Sequence, residues 1–237
     1  MKISIIIPTY NEEKTLLEIL KKVNEQKKIY DLEIIVSDDS STDKTKDLLL
    51  ENKHLYDQVV FNKKNLGKGS AIINSLNVVT GDYILIQDAD LEYDPSDYKR
   101  LLDPVLKDNA DVVYGSRFQG SDPKRILYFS HRVANFILTF LVNILTNINF
   151  SDVETGYKLI KTSLIKDLKI KEKTFTFEIE ITMKLAKKKI KIYEVGINYF
   201  GRTYEEGKKI GIKDGFLALY KIFYYKYLVI LYLVYFL

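Results

Sequence analysis

Residues 81–95, GDYILIQDADLEYDP, decide the fold. The run Tyr83-Ile84-Leu85-Ile86 is apolar at every position, as in a strand covered on both faces. It stops at a polar turn and delivers Asp88, Asp90 and Glu92, two residues apart, at a sheet edge. Carboxylates so spaced converge on one hard divalent cation. Mg²⁺ or Mn²⁺ takes few protein carboxylates and completes its shell with substrate phosphate oxygens. A solvated acidic turn is the alternative, disfavoured because buried strands rarely end in three acids without a counter-charge.

Working outward, residues 3–7, 32–36, 59–61 and 112–114 read as further buried strands, and 13–25, 42–51, 68–79 and 96–106 as helices. Strand alternating with helix means an α/β fold, a mostly parallel sheet with right-handed crossovers flanked by helices. Ligands of such sheets sit at the carboxyl ends of the strands. The polar clusters 8–12, 37–43 and 87–92 all fall at that edge.

The chain has 237 residues, 46% hydrophobic and 29% charged, the balance of one folded domain with an appendage and not of a disordered chain. With no cysteine, disulfides, thiol nucleophiles and Cys-type zinc sites are excluded. The only histidines, His54 and His131, are too far apart for a short metal motif, so histidine-centred chemistry is not expected. Residues 1–157 carry 19 basic and 24 acidic residues, about −5, and residues 158–213 carry 15 and 7, about +8. That asymmetry fits a cation held by the first part and an anionic surface or substrate met by the second; a lysine-rich coding bias fits equally. Residues 1–7 run into Pro8 and charged positions without a signal-peptide pattern, so the N-terminus is expected to stay in the cytoplasm.

Two more loops carry polar chemistry. In VSDDSSTDKT, residues 36–45, helix capping accounts for Ser41, Thr42 and Asp43 but does not require Asp38 and Asp39, which are free to accept hydrogen bonds from a base or ribose. NLGKGSAI, residues 65–72, offers backbone amides and Lys68 at a helix start, an anion site or a plain turn. No G-x-G-x-x-G or G-x-x-x-x-G-K-[ST] follows the first strand, so dinucleotide dehydrogenases and P-loop ATPases drop out.

Two segments are strongly apolar. Residues 126–149 lack Pro and Gly and form one long helix whose wide apolar face suits either the core or a membrane surface. Residues 216–237 contain only Lys221 and Lys226 as charges; a helix of that length extends about 33 Å, marginal for a bilayer core of about 30 Å. A span and an interfacial anchor are both compatible with it, and the apolar end suggests that a longer membrane region follows. Upstream Lys208, Lys209 and Lys213 would keep the globular part, residues 1–215, on the cytoplasmic side.

The ordered set IIIPTYNEEKTL, IIVSDDSSTDKT, NLGKGSA, QDADLEYDP, VVYGSRF, DVETGYKLI and INYFGRTYEEGKKIGIKDG resembles the GT-A family 2 glycosyltransferases over roughly residues 3–215. More narrowly it is similar to the dolichol-phosphate mannosyltransferase group and its polyprenyl-phosphate relatives. The resemblance implies an inverting, metal-dependent transfer of a hexose from a nucleotide sugar, GDP-mannose or UDP-glucose in type, to a polyprenyl or dolichyl phosphate. It places Pro8, Tyr10, Glu12, Val36 and Asp38 around the nucleoside, with Lys68 and Asp88 also on the donor. Asp88, Asp90 and Glu92 would surround Mg²⁺ or Mn²⁺. Arg117, Arg132 and Arg202, with Asp90, would handle the reacting phosphates. Where many relatives have Gln this chain has Glu92, and Ser40, Gly196 and Ile212 replace a usual Gly, Pro and Trp. The implied partners are the donor, the lipid phosphate, the membrane and a membrane partner subunit, with no nucleic acid.

Elementary chemistry agrees. A phosphate monoester has its second pKa near 6 and is mostly dianionic at pH 7, so this acceptor needs no general base. Arginine binds phosphate oxygens with a bidentate fork where lysine supplies a point charge. An alternative acceptor, a glycan hydroxyl, would need a carboxylate base, for which Asp152 and Glu154 are the candidates. A third reading is a non-enzymatic nucleotide-sugar-binding subunit of a membrane complex. Glu178 and Glu180, in FEIEI, sit on a strand or a helix start, with Glu178 either near the acceptor or merely ion-paired.

Overall fold

Alternation along each central strand sends side chains into two separate apolar clusters. In β1 (Ile3–Thr9), Ile3, Ile5 and Ile7 enter one cluster and Ile6 the other. β2 (Leu32–Asp38) divides Ile34 and Val36 from Ile35 in the same way. With β3 (Gln58–Phe61), β4 (Tyr83–Ile86), β5 (Val112–Ser116), β6 (Lys158–Lys161) and β7 (Ile192–Gly196) they form a seven-stranded sheet in the order β3-β2-β1-β4-β6-β5-β7. The pairs within β3-β2-β1-β4 and the β5–β7 pair are parallel; β6 runs antiparallel between β4 and β5. The segment leading into β6 therefore lies at the edge where β4 and β5 exit.

The structure, a computed structural model, describes residues 1–120, 125, 128–203, 205–206 and 211–235, with side chains throughout except at 212 and 228–235. Its helices are α1 (Leu16–Gln26), α2 (Thr45–Glu51), α3 (Lys68–Ser75), α4 (Tyr98–Asp108), α5 (Phe129–Thr146), α6 (Thr162–Asp167), α7 (Phe177–Leu185) and α8 (Ile212–Tyr235). Residues of α1, α2 and α4 fill the first cluster; those of α3, α5, α6, α7 and α8 fill the second. The five expected strands and the helices between them are present, with helix ends shifted by a few residues. FEIEI is helical despite its period of two: everything from Phe177 to Met183 is buried, so burial on all sides replaces an amphipathic stripe.

The helix expected over 126–149 is observed from Phe129; residues 126 and 127 lie outside the described residues. Its inner face, including Leu138 and Val142, is core. Its outer face leaves Phe129 78%, Phe136 67% and Ile144 61% exposed, together with Val133, Ile137 and Phe140. α8 packs on α5 and α7 and is built alike. Ala218, Ile222 and Tyr225 are buried while Phe216, Leu217, Tyr220, Phe223, Tyr224 and Tyr227 face out. The expected boundary at residue 216 thus falls inside α8, whose inner side belongs to the globular core. Among the described residues, α5 alone is long and apolar enough to cross a membrane by length and composition.

Candidate active site

The turn after β4 is held from below. Buried Gln87 accepts hydrogen bonds from the hydroxyls of Tyr98 (3.1 Å) and Tyr157 (2.8 Å) and donates to the carbonyl of Tyr93 (3.2 Å). Leu91 sits at φ +64°, a left-handed conformation costly for a branched side chain, and the turn closes where the Glu92 amide donates to Asp90 Oδ1 (3.1 Å). Burial, with Asp88 and Glu92 as like charges alongside, pushes the Asp90 carboxyl up to about 7, only partly opposed by Arg202.

Arg202 bridges the acids. Its Nη2 donates to Asp90 Oδ2 (2.6 Å), its backbone amide donates to Glu92 Oε1 (2.8 Å), and its Nη1 lies 3.7 Å from Glu12 Oε2. Glu92 Oε2 accepts from the Tyr199 hydroxyl (2.8 Å). Both oxygens of Glu92 are therefore engaged in seating the Arg202 segment, just as both oxygens of Asp90 are engaged by the Glu92 amide and Arg202. Among the described residues no three His, Cys, Asp or Glu side chains form a metal cage. Gly207, Lys208 and Lys209 of the same loop lie outside the described residues.

Lys68 reaches Asp88 Oδ1 (2.7 Å) and Glu178 Oε1 (3.3 Å). Those carboxylates hold its pKa well above the ordinary lysine value against the opposing effect of burial. Glu178 also pairs with Lys158, a fully buried lysine that donates to the carbonyls of Val153 and Thr155. Lys158 and Gln87 are functional-site residues that sequence reasoning missed; a lysine inside the apolar context of GYKLI was the available signal. Glu178 is ion-paired but not solvent-facing. The amides at 65–72 are not an open anion site: Asp39 Oδ2 accepts from Leu66 (3.0 Å) and Gly67 (2.6 Å). Gly67, at φ +100°, packs against the backbone at Lys173, where a Cβ would lie 2.7 Å from the carbonyl oxygen.

The loop before β6 closes the floor. Gly156 is there because a Cβ would lie 2.6 Å from Asp88 Oδ2. Asp152, fully buried, receives Arg117 bidentately (Nε and Nη2, 2.7 Å each) and Asn135 of α5 (2.7 Å). Despite burial, Arg117 holds the Asp152 carboxyl below the ordinary carboxylate value. A locked, charge-paired carboxylate is not a general base, which removes Asp152 from that role. Glu154 differs: burial, with Glu178 as a like charge, pushes its carboxyl up to about 7. Arg117 also stacks on Tyr199 and Phe118 (5.3 and 5.7 Å), and exposed Arg132 lies over Phe118 at 5.4 Å. Arg132 is thus beside the Arg117 cluster and apart from the acids at Asp88 and Asp90.

At the opposite end, loops 8–12 and 38–43 are knitted together by Asn11, whose amide donates to Ser41 Oγ (2.9 Å) and whose Oδ1 accepts from the Thr42 amide (2.8 Å). Asp38 is buried and accepts from Ser41 Oγ (2.5 Å). Ser40 adopts φ +64°, the left-handed region that explains why glycine is usual there. Pro8, Tyr10 and Glu12 are partly exposed along this edge, but the Val36 side chain is wholly buried in the core.

A three-layer α/β sandwich with an acidic strand exit at the centre of its sheet is the build of a nucleotide-sugar transferase. The family model for glycosyl transferase family 2 matches residues 4–169, and the chain belongs to that family and is a glycosyltransferase. It is 31% identical over 222 residues to the uncharacterized protein MJ0544 of Methanocaldococcus jannaschii, covering 86% of this chain and 93% of that one. It is 30% identical over 207 residues to the low-salt glycan biosynthesis hexosyltransferase Agl6 of Haloferax volcanii (86% of this chain, 49% of that one). To the dolichol-phosphate mannosyltransferase of Pyrococcus furiosus it is 28% identical over 217 residues (89% and 61%), so it spans about half to three-fifths of these two relatives. Glucosyl-3-phosphoglycerate synthase from Mycobacterium tuberculosis, solved with Mn²⁺, UDP and phosphoglyceric acid, shares the GT-A fold at a TM-score of 0.73 and 19% identity, covering 95% of this chain and 77% of that one.

Proposed function

We propose that this chain transfers a hexose from a nucleotide sugar to a polyprenyl phosphate at the cytoplasmic face of a membrane. The observation that carries the reading is where the bare apolar face of α5 begins. Asn135 of α5 holds Asp152, Arg132 and Arg117 share Phe118, and the exposed stripe of Phe129, Phe136 and Phe140 starts on the same helix. An apolar chain lying on that stripe would deliver its phosphate to the arginines. The dolichol-phosphate mannosyltransferase relative supports the same acceptor class.

The residues present fit a divalent cation. Asp88 and Asp90 are half-buried hard oxygen donors, and with Glu92 beside them three carboxylates face two cations, Lys68 and Arg202; such a set suits Mg²⁺ or Mn²⁺ that takes its other ligands from a diphosphate. Such a cation neutralises the diphosphate that leaves. Pro8, Tyr10, Glu12 and Asp38 line the nucleoside side, Lys68 steadies Asp88, and Arg202 stands beside Asp90 to meet the acceptor phosphate. The acceptor arrives already dianionic, so positioning it behind the anomeric carbon is the protein's main task. Of the two candidate bases for transfer to a glycan hydroxyl, Asp152 is locked under Arg117 and only Glu154 is left.

The test is product formation by purified protein with Mn²⁺, GDP-mannose or UDP-glucose, and either farnesyl phosphate or farnesol. Glycosyl phosphate formed only from the phosphate supports the reading. Transfer to farnesol at a similar rate, or to oligosaccharide instead, overturns it.

A further inference from the structure

Among the described residues, the buried side-chain atoms that make no hydrogen bond are Glu154 Oε1, Glu178 Oε1, Glu180 Oε1 and Arg202 Nε. The last three each have an opposite charge close by: Glu178 Oε1 lies 3.3 Å from Lys68, Glu180 Oε1 2.6 Å from Lys184, and Arg202 Nε 3.6 Å from Glu92. Glu154 Oε1 has no such neighbour among the described residues. The cations around it are spent, since Lys158 holds Glu178 and Arg117 holds Asp152. Glu154 as a residue is half-buried, but its Oε1 is enclosed, and an enclosed carboxylate oxygen left without a donor is costly.

The position of Glu154 says what should supply it. The residue lies two before Gly156, which is pressed against Asp88, in the loop that enters β6. From β2, whose end carries Asp38, the sheet steps through β1 and β4 to β6. Three strand spacings make about 14 Å. Glu154 is therefore on the far side of Asp88 from the nucleoside loop, where the sugar follows the diphosphate. A carboxylate oxygen repels phosphate and accepts from hydroxyls.

We infer that Glu154 is a specificity-determining residue that accepts a hydrogen bond from one hydroxyl of the hexose being transferred. The inference rests on the transferase reading and adds to it the group that selects the sugar. A site built to bond a hydroxyl rejects an analogue lacking it far more strongly than an apolar pocket does, because the buried acceptor is left unpaired.

The experiment compares kcat/KM for GDP-mannose and UDP-glucose with that for each monodeoxy-hexose analogue, using farnesyl phosphate and Mn²⁺. The wild type will reject one monodeoxy donor by about 100-fold or more, and Glu154→Ala will bring that ratio below about 10-fold. Glu154→Met, which keeps volume and removes the acceptor, reads the same ratio should the Ala variant fail to fold. Glu154→Gln, which retains a carbonyl oxygen, will keep most of the discrimination. Variants that lose rate equally on every donor, or keep the wild-type ranking, overturn the assignment and reduce Glu154 to a structural or water-binding carboxylate. A folded wild type that turns over no donor overturns the transferase reading itself.

Discussion

The two helical layers treat their outer surfaces differently. α1 buries Leu16, Ile19, Leu20 and Val23 and turns Lys21, Glu25 and other polar residues outward, and α4 likewise hides Leu101, Leu102 and Val105 and shows Lys99. α5 and α8 also bury one stripe, yet they turn a second apolar stripe outward. Each large side chain on it would yield about 1.5–3 kcal/mol if removed from water. The first layer leaves only scattered apolar side chains in water, such as Leu50 and Leu106. The second leaves a continuous apolar outer face, and it is the layer that holds Asp152 through Asn135 and Glu178 within α7. On the proposed reading, donor chemistry is organised on loops at the sheet edge and acceptor chemistry on the layer with the apolar outer face.

The largest effect expected from breaking the donor side is that of Asp90→Ala. It should cut turnover by about a thousandfold while the protein still folds, since Asp90 lies at a strand exit and losing a cation ligand costs several kcal/mol of leaving-group stabilisation. Rates with and without EDTA check this; an active variant, or a wild type indifferent to chelator, contradicts it. In the second layer, Asp152→Ala removes the bidentate carboxylate partner of Arg117 from the interior and should cost about 3–5 kcal/mol of stability, read as a shifted urea midpoint. A variant within 1 kcal/mol of wild type, as for an exposed pair of about 0–1 kcal/mol, would show that the pair is not structural.

A smaller effect separates the regions by pH. Asp90 and Glu154 have folded-state pKa values of about 7, above those of an unfolded chain, so the folded protein holds protons that the unfolded one has released. Their contribution is fully present below about pH 4, is lost as pH rises toward 7, and changes little beyond. With EDTA, Tm should fall between about pH 5 and 7.5; if Mn²⁺ replaces the proton at Asp90, it should raise Tm more at the higher pH. A Mn²⁺ shift independent of pH would count against Asp90 as ligand.

Much of the donor side was legible in the sequence, because strands buried on both faces are unbroken apolar runs and their exits carry clustered acids. Asp88 and Asp90 stood out for that reason. What stayed hidden depends on contacts between distant segments. Glu92 is spaced like a ligand and also carries Tyr199 and Arg202, more than a hundred residues on. The amides at 65–72 look open to a phosphate until Asp39 folds onto them. Val36 carries a motif position while its side chain is plain core. The short β6, with lysines at both ends, gave no strand signal, and its antiparallel direction is what brings Glu154 and Asp152 to the site.

The measurement that bears most directly on the division of labour between the layers is transfer by the Phe136→Glu, Phe140→Glu double variant to two acceptors. One is long-chain polyprenyl phosphate in phosphatidylcholine vesicles, the other farnesyl phosphate in solution. If the outer face of α5 delivers lipid to the arginines, the rate in vesicles falls by about tenfold or more, while the rate in solution stays within about twofold of wild type. Equal losses on both acceptors, or no loss on either, would contradict the account.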